Sequence, residues 1–452
     1  MDEQFDVVVV GMGPGGEVAS SRLLAGGRQV AVVERELVGG ECAYWACVPS
    51  KTLLRSPEVR AEAEQAAGTS RPTLDWPALR DYRDTMIRHL DDSGQVTGYE
   101  EKGATVVKGA GRIVGRDPWR VEAAGRTLAA DHVILATGSE PLRPPIDGLD
   151  GVPVWTNREA TTLREIPQRA VVVGGSAVGV ELGQFLARMG CAVTLVQRAP
   201  RLLDREDPRV GELVAERLRG DGIDIRLGCQ ATAARKDGSD PVVELDDDTR
   251  VPADVVVLAA GRRPRTDGLG LAEQRVALDR RGALATDAQG RVTDDGLWAV
   301  GDVTGVAMFT HVAQYQGRVV ADTILGKPRT ADYTGVPRVV FADPEIAAVG
   351  LTRAQAEDRG LDVSSSEVDL TKLLARPWTY QTEPTGTLSL LVDRGRGVLV
   401  GAWAVAPLAG EWIHHAALAI RAGVPLPILL DTVAQFPTFS QGFLAALESL
   451  PE

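Results

Sequence analysis

Cysteine is scarce in this chain of 452 residues: Cys42, Cys47, Cys191 and Cys229 are all there are. Four are too few for a secreted disulfide scaffold of this size, in which bridges stand in for core. Positive charge is also short, and a net charge of −13 argues against nucleic acid or an anionic membrane as the main partner. No apolar run approaches the ~18 residues of a membrane-spanning helix, and no basic, apolar signal segment precedes Phe5. The expected location is the cytoplasm. In that reducing compartment a cysteine pair that does bridge is catalytic rather than structural. No low-complexity linker or short-period repeat interrupts the sequence.

What is present is ordinary for a globular protein, with 44% hydrophobic and 25% charged residues. The length allows two to four domains with ample core. Residues 5–10 are an apolar run of strand length, interrupted only by Asp6. Gly11-Met12-Gly13-Pro14-Gly15-Gly16 follows, then a helical stretch to about Ala25 and a second strand, residues 29–33, ending at Glu34. Such glycines permit a tight turn and the approach of a pyrophosphate to the helix N-terminus, and an acid about twenty residues on can hold ribose hydroxyls. Gly11, Gly13, Gly16 and Glu34 are therefore candidate dinucleotide ligands. The glycine pattern alone is common; with strand, helix and acid in place it is specific.

A second unit of the same kind begins at Ala170. Val171-Val172-Val173 leads into Gly174-Gly175-Ser176-Ala177-Val178-Gly179, a helix to about Arg188 and a strand at residues 192–196. Ser176 replaces the middle glycine. The strand ends in Gln197-Arg198, where the first copy has Glu34-Arg35. Losing the acid while keeping a guanidinium favours a 2′-phosphate over a free 2′-hydroxyl, so NADPH is expected over NADH. A merely solvated Arg198 is the plain alternative. Two dinucleotide units in one chain imply two nucleotides exchanging electrons. Further strand-then-glycine junctions lie at residues 133–138, 255–261 and 297–302. After about Val336, apolar runs near residues 339–341, 387–392 and 398–405 alternate with helical stretches near 352–359 and 411–422. That is an α+β pattern without a nucleotide turn.

Between the two units lies Gly39-Gly40-Glu41-Cys42-Ala43-Tyr44-Trp45-Ala46-Cys47-Val48-Pro49-Ser50-Lys51. On a regular helix, five steps of rise separate the two cysteine Cα atoms by ~7.5 Å, whereas bridged Cα atoms lie ~4.4–6.8 Å apart. A bridge therefore requires an irregular first turn, and Pro49 removes a backbone donor there. The spacing leaves a redox disulfide and two unlinked buried thiols both open. A zinc site is not supported, because no second Cys or His pair stands nearby at ligand spacing, and no metal is expected.

In order along nearly the whole chain, these motifs resemble the pyridine nucleotide–disulfide oxidoreductases, which include dihydrolipoamide dehydrogenase, glutathione reductase and mercuric reductase. The Gly-Gly-x-Cys-x4-Cys-x-Pro-Ser-Lys block is similar to the family's redox disulfide. Gly109-Ala110-Gly111, Ala136-Thr137-Gly138-Ser139, Gly301-Asp302 and Thr310-His311-Val312-Ala313 match flavin-proximal segments. Gly261-Arg262-Arg263-Pro264 and Phe341-Ala342-Asp343-Pro344-Glu345 match later signatures. The resemblance implies an α/β fold of two Rossmann-like dinucleotide-binding domains, for FAD and NAD(P), plus a C-terminal α+β dimerisation domain. The implied segments are 1–150 and 266–335 for FAD, 151–265 for NAD(P) and 336–452 for the dimer interface. By resemblance, Cys42 is the interchange thiol that attacks substrate, Cys47 the flavin-side thiol, and Lys51 a flavin neighbour paired with Glu181. Gly111, Thr137, Gly138, Gly301, Asp302, His311 and Ala313 would line the flavin, with Asp302 on its ribityl chain. Gly174, Gly179, Gln197 and Arg198 would serve the second nucleotide, and Gly261 is a further cofactor-binding position.

Three departures from the family bear on the substrate. The residues between the cysteines are Ala43-Tyr44-Trp45-Ala46, with Glu41 where threonine is usual. Ala177 stands where glutathione reductase-like members carry a gating aromatic. The family's C-terminal His-x-His-Pro-Thr-x-Ser-Glu reads Ala434-Gln435-Phe436-Pro437-Thr438-Phe439-Ser440-Gln441. Phe436 and Gln441 thus replace the acid–base histidine and its glutamate, at positions the resemblance puts near the disulfide of the opposite subunit. A phenyl ring moves no proton. His311 is the candidate replacement, whereas His414 and His415 lie on an apolar-periodic helix and are expected to pack in the core or an interface. Tyr44 is a weaker donor, with a phenol pKa near ~10. The expectation is a homodimeric FAD enzyme that uses NAD(P)H and a redox-active Cys42–Cys47 pair to reduce a small-molecule disulfide or other soft electrophile. A quinone or metal-ion (mercuric-type) reductase is the alternative. A flavoprotein sensor module without catalysis is disfavoured, because it has no need of Cys42, Cys47 and Lys51.

Overall fold

A computed structural model describes residues 2–237 and 240–451. Two compact units are formed: Met1–Pro49, Asp81–Leu142 and Gly261–Asp332 make the first, and Ser50–Arg80, Arg143–Ala260 and Tyr333–Glu452 the second. The chain re-enters the first unit at Gly261, where the short strand Arg262–Pro264 pairs antiparallel with Ser139–Pro141. The segment Ser50–Arg80 belongs with the second unit, although it lies within the stretch 1–150 in sequence.

The first unit is built on a seven-stranded sheet. Its strands run Thr105–Lys108, Val30–Glu34, Glu3–Val10, Arg126–Leu135, Trp119–Ala123 and Arg112–Gly115, with Leu297–Ala299 also pairing on Arg126–Leu135. The strands around Glu3–Val10 are parallel, with Val7 opposite Val30 and Val10 opposite Val33. Val7, Val8, Val9 and residues 30–33 are buried on both faces. That is why they read as unbroken apolar runs rather than alternating ones. Helices Pro14–Ala25 and Thr310–Ile324 pack on each other. A Cβ on Gly317 would strike the Gly15 carbonyl, so this crossing needs a glycine.

The second unit holds a parallel five-stranded sheet in the order Asp224–Leu227, Ala192–Gln197, Arg169–Val173, Val255–Leu258 and Val154–Trp155. An antiparallel sheet follows in the order Pro337–Val340, Ile346–Gly350, Val398–Val405, Thr387–Asp393 and Val363–Asp369. Trp412, Phe439 and Phe443 pack beside it, with ring centroids 5.7–6.4 Å apart. The helical stretch expected at 411–422 is two helices, Ala409–Trp412 and His414–Ala422. His414 and His415 are exposed, contrary to core packing; Ala416, Ala417, Ala419 and Ile420 carry the buried face. Helices Cys47–Gln65, Trp76–Met86 and Ser93–Glu101 have no counterpart in the sequence reading. Among the described residues no helix is long and apolar enough to cross a membrane.

Candidate active site

The two glycine turns have the same internal construction. Gly11 and Gly174 take φ of +99° and +112°, and a Cβ on either would collide with the carbonyl of Ala136 or Ala259. Gly16 and Gly179 bring their helices against the carbonyls of Gly11 and Gly174, again with no room for a side chain. Gly13 differs, because a Cβ there would meet nothing within 4 Å. Its place in the second copy is taken by Ser176, whose hydroxyl donates to the Ala259 carbonyl at 2.9 Å.

The strand-end residues hold these turns. Met12 N–H donates to Glu34 Oε2 at 2.8 Å and Glu36 N–H to Glu34 Oε1 at 2.7 Å. Burial raises the Glu34 pKa against those two bonds. In the second copy Gly175 N–H donates to Gln197 Oε1 at 3.1 Å, across the same separation of 22 residues. Gln197 therefore does the structural job of Glu34 without its charge. Arg198, the next residue, is exposed.

Cys42 and Cys47 stand on either side of a break. Cys42 is in the five-residue helix Gly40–Tyr44, which ends at Trp45 (φ −136°, ψ 1°), and Cys47 opens the 19-residue helix Cys47–Gln65. The required irregular turn is thus present. Both cysteines are of intermediate exposure. Their sulfurs converge on one hydroxyl: Thr310 Oγ1 donates to Cys42 Sγ at 3.2 Å and lies 3.3 Å from Cys47 Sγ. The hydrogen bond with the Cys47 thiol and burial hold the Cys42 pKa far above the usual thiol range, while Thr310 pulls it down. Cys191 and Cys229 are buried, and burial pushes them up to about 12 and about 11.

Lys51 lies one turn beyond Cys47 on the same helix. Its Nζ is 2.7 Å from Glu181 Oε2 and 4.8 Å from the centre of the Phe341 ring. The other Glu181 oxygen accepts Phe341 N–H at 2.9 Å. A carboxylate only 8% exposed is thereby fixed from both sides. In the first unit Arg262 Nε donates to Ser139 Oγ at 2.7 Å, and Ser139 Oγ donates to Asp302 Oδ2 at 2.6 Å. Burial raises the Asp302 pKa. Gly301 N–H donates to Gln316 at 2.6 Å, Thr137 Oγ1 to the Arg265 carbonyl at 2.7 Å, and Arg265 N–H to the Gly138 carbonyl at 2.9 Å. Gly111 packs against Val10 and Val33, Gly261 takes φ of +118°, and Ala313 is buried.

The two acid–base candidates make contacts of their own. Tyr44 is fully buried, its hydroxyl donating to the Val38 carbonyl at 3.1 Å, and burial raises its pKa. His311 is exposed and stacks on Phe309 with ring centres 5.2 Å apart. Thr310, its neighbour, is the residue the sequence reading passed over. The signal for it is its position at the head of the flavin-proximal segment that begins Thr310-His311.

These residues fit a bound dinucleotide. The space at Gly13, the N-terminus of the Pro14–Ala25 helix, the buried Glu34 and the half-buried Asp302 supply the room, backbone donors and acceptors that a pyrophosphate and polyols need. The chain matches the family model described as pyridine nucleotide-disulphide oxidoreductase over residues 5–317, and the dimerisation domain of that family over residues 336–447. It belongs to the pyridine nucleotide-disulphide oxidoreductases, FAD- and NAD(P)H-dependent enzymes. Among its relatives is a mercuric reductase of Streptomyces lividans, 35% identical over 98% of this chain and 96% of that one. A dihydrolipoyl dehydrogenase of Thermus scotoductus is 34% identical over 99% and 97%. A Cu(II) complex of the HOCl-induced flavoprotein disulfide reductase RclA from Escherichia coli superposes with a TM-score of 0.88 at 25% identity, covering 99% of each chain.

Proposed function

We propose that the chain is a homodimeric, cytoplasmic flavoenzyme that draws electrons from NADPH and passes them through Cys42 and Cys47 to a small-molecule disulfide or another soft electrophile. Bound FAD supplies the two-electron link between nicotinamide and the cysteine pair. The convergence of both sulfurs on Thr310, in a break just past the first nucleotide turn, carries this reading.

Each residue then has a task. Cys47 heads a long helix whose N-terminus favours negative charge, which suits the flavin-side thiolate. Cys42 is the interchange thiol. Its thiolate attacks one sulfur of the substrate disulfide, forming a mixed disulfide and releasing one thiolate. Cys47 then attacks the Cys42 sulfur, closing the Cys42–Cys47 bond and releasing the second. Lys51, ion-paired with Glu181, is the cation this reading assigns to the flavin. Glu34 and Asp302 serve the FAD polyols. Gln197 offers a neutral acceptor beside Arg198, which favours the extra phosphate of NADPH. The exposed apolar side chains Leu418, Ile428, Val433 and Phe436 support a dimer, since such a set calls for a cover.

A metal-ion acceptor is the second reading. It is favoured by the likeness to a mercuric reductase and to a disulfide reductase captured with Cu(II), and by Phe436 and Gln441 in place of an acid–base pair. NADPH oxidation with an activated aromatic disulfide, lipoamide, a quinone, mercuric ion and Cu(II), in wild type and Cys42→Ser, tests both. The expected order has the aromatic disulfide well ahead of lipoamide, with both lost in Cys42→Ser. Metal turnover exceeding that of every disulfide supports the second reading. Undiminished disulfide reduction by Cys42→Ser would sink the interchange role.

A further inference from the structure

Turnover of a dithiol needs a thiolate on Cys42 at the moment of attack, yet its proton is held tightly. Phe436 carries no proton, the Tyr44 hydroxyl is committed to Val38, and the His311 ring lies on Phe309. Thr310 is placed differently. It is the first residue of the 15-residue helix Thr310–Ile324, and its Oγ1 stands 3.2 Å from Cys42 Sγ and 3.3 Å from Cys47 Sγ. A hydroxyl has one donor and two acceptor sites. It can accept from one thiol while donating to the other sulfur, and exchange the two roles without moving.

We propose that the Thr310 hydroxyl is the proton relay of this site, stabilising whichever cysteine is the thiolate and passing the single proton of the reduced pair between them. This rests on the dithiol reading above. With Cys42 protonated and Cys47 charged, the Cys42 S–H bond breaks as an O–H bond forms at Thr310, while the former Thr310 O–H proton goes to Cys47. No electron moves, and charge passes from Cys47 to Cys42, which is then the nucleophile. The hydrogen bond in which Thr310 donates to Cys42 is the one that holds the charge there. The raised Cys42 pKa, with Cys47 as its first cause, fits two sulfurs sharing one proton.

The test is the rate at which iodoacetamide alkylates Cys42 in NADPH-reduced holoenzyme across pH, read by peptide mass spectrometry. Thr310→Val and Thr310→Ala remove the hydroxyl, and Thr310→Ser keeps it; the bound-flavin spectrum verifies folding. A hydrogen bond to a charged group is worth enough that Val and Ala should slow Cys42 labelling at pH 7 by about tenfold or more. The labelling midpoint should rise by about one pH unit, and Ser should restore both. Val and Ala variants that label like wild type would overturn the relay and leave direct exchange between the sulfurs. A Ser variant as slow as Val would also overturn it, since packing and not the hydroxyl would then matter. Wild-type enzyme whose Cys42 and Cys47 both stay unlabelled after reduction would instead remove the dithiol reading, and the relay with it.

Discussion

Glu34 and Gln197 show how one charge separates two otherwise matching nucleotide turns. Each side chain accepts the same backbone N–H, so both turns survive while only the first keeps a carboxylate. Arg198, beside the neutral copy, is exposed, and the proposed NADPH preference assigns it the 2′-phosphate. A charge-assisted hydrogen bond is worth ~1.5–3 kcal/mol, so Arg198→Glu should lower kcat/KM for NADPH by about tenfold or more while leaving that for NADH nearly unchanged. Steady-state kinetics with both nucleotides checks this, and a wild type that prefers NADH would defeat the phosphate assignment. Residue types and spacing made Gly11, Gly16, Gly174 and Gly179 legible, because close backbone approach leaves no other residue possible. Thr310 was not legible, because its value lies in a contact with cysteines more than 260 positions away. The setting of Tyr44 was hidden for the same kind of reason: its burial and its bond to Val38 are not written in the spacing.

The strands were largely readable as elements, since runs such as residues 7–10 and 398–405 carry no charged or polar side chain and have strand length. The helix Cys47–Gln65 was not, because Pro57 inside it reads as a stop and its charged residues obscure a single apolar stripe. In the strand Ile346–Gly350 and the turn before it, Glu345 sits partly buried with Gly410 N–H on its Oε2 at 2.8 Å. Burial, with Glu58, Glu411 and Asp343 nearby, raises its pKa from 4.5 to about 7. The folded protein therefore keeps a proton that the unfolded chain gives up. The stability this lends is complete below about pH 4.5 and is lost as pH rises through about 7. Glu345→Gln keeps the acceptor oxygen and should raise stability at pH 8 by ~1–3 kcal/mol, with little change at pH 5. Denaturant midpoints at the two pH values decide it; an unchanged midpoint at pH 8 would count against a buried acid. The C-terminal stretch 434–441 yields a second prediction. Phe436 is 74% exposed, and Thr438 N–H lies 3.4 Å from Gln441 Oε1. General acid–base help is worth ~100- to 10,000-fold, so Phe436→His/Gln441→Glu should raise lipoamide turnover, by up to about 100-fold. Wild type already fast on lipoamide, with a bell-shaped pH profile near neutrality, would mean that another residue supplies the base.

At the scale of the whole molecule, the order of motifs along the chain gave the fold class, since each nucleotide turn needs its strand, helix and return strand in sequence. The division into compact units was less visible: the expected Lys51–Glu181 pair ties the head of Ser50–Arg80 to Arg143–Ala260, but the rest of that segment carries no motif and follows the FAD stretch in sequence. The claim on which the rest depends is that Cys42 and Cys47 store two electrons in addition to the flavin. Anaerobic NADPH titration of the purified holoenzyme, with alkylation mapping at each point, measures that store. Full reduction should take about two equivalents of NADPH per flavin. A long-wavelength absorbance should appear after the first, and Cys42 and Cys47 should become alkylatable only on reduction, while buried Cys191 and Cys229 stay unlabelled. Complete reduction by about one equivalent, with no newly reactive cysteine, would contradict the dithiol and leave the flavin to reduce its acceptor directly.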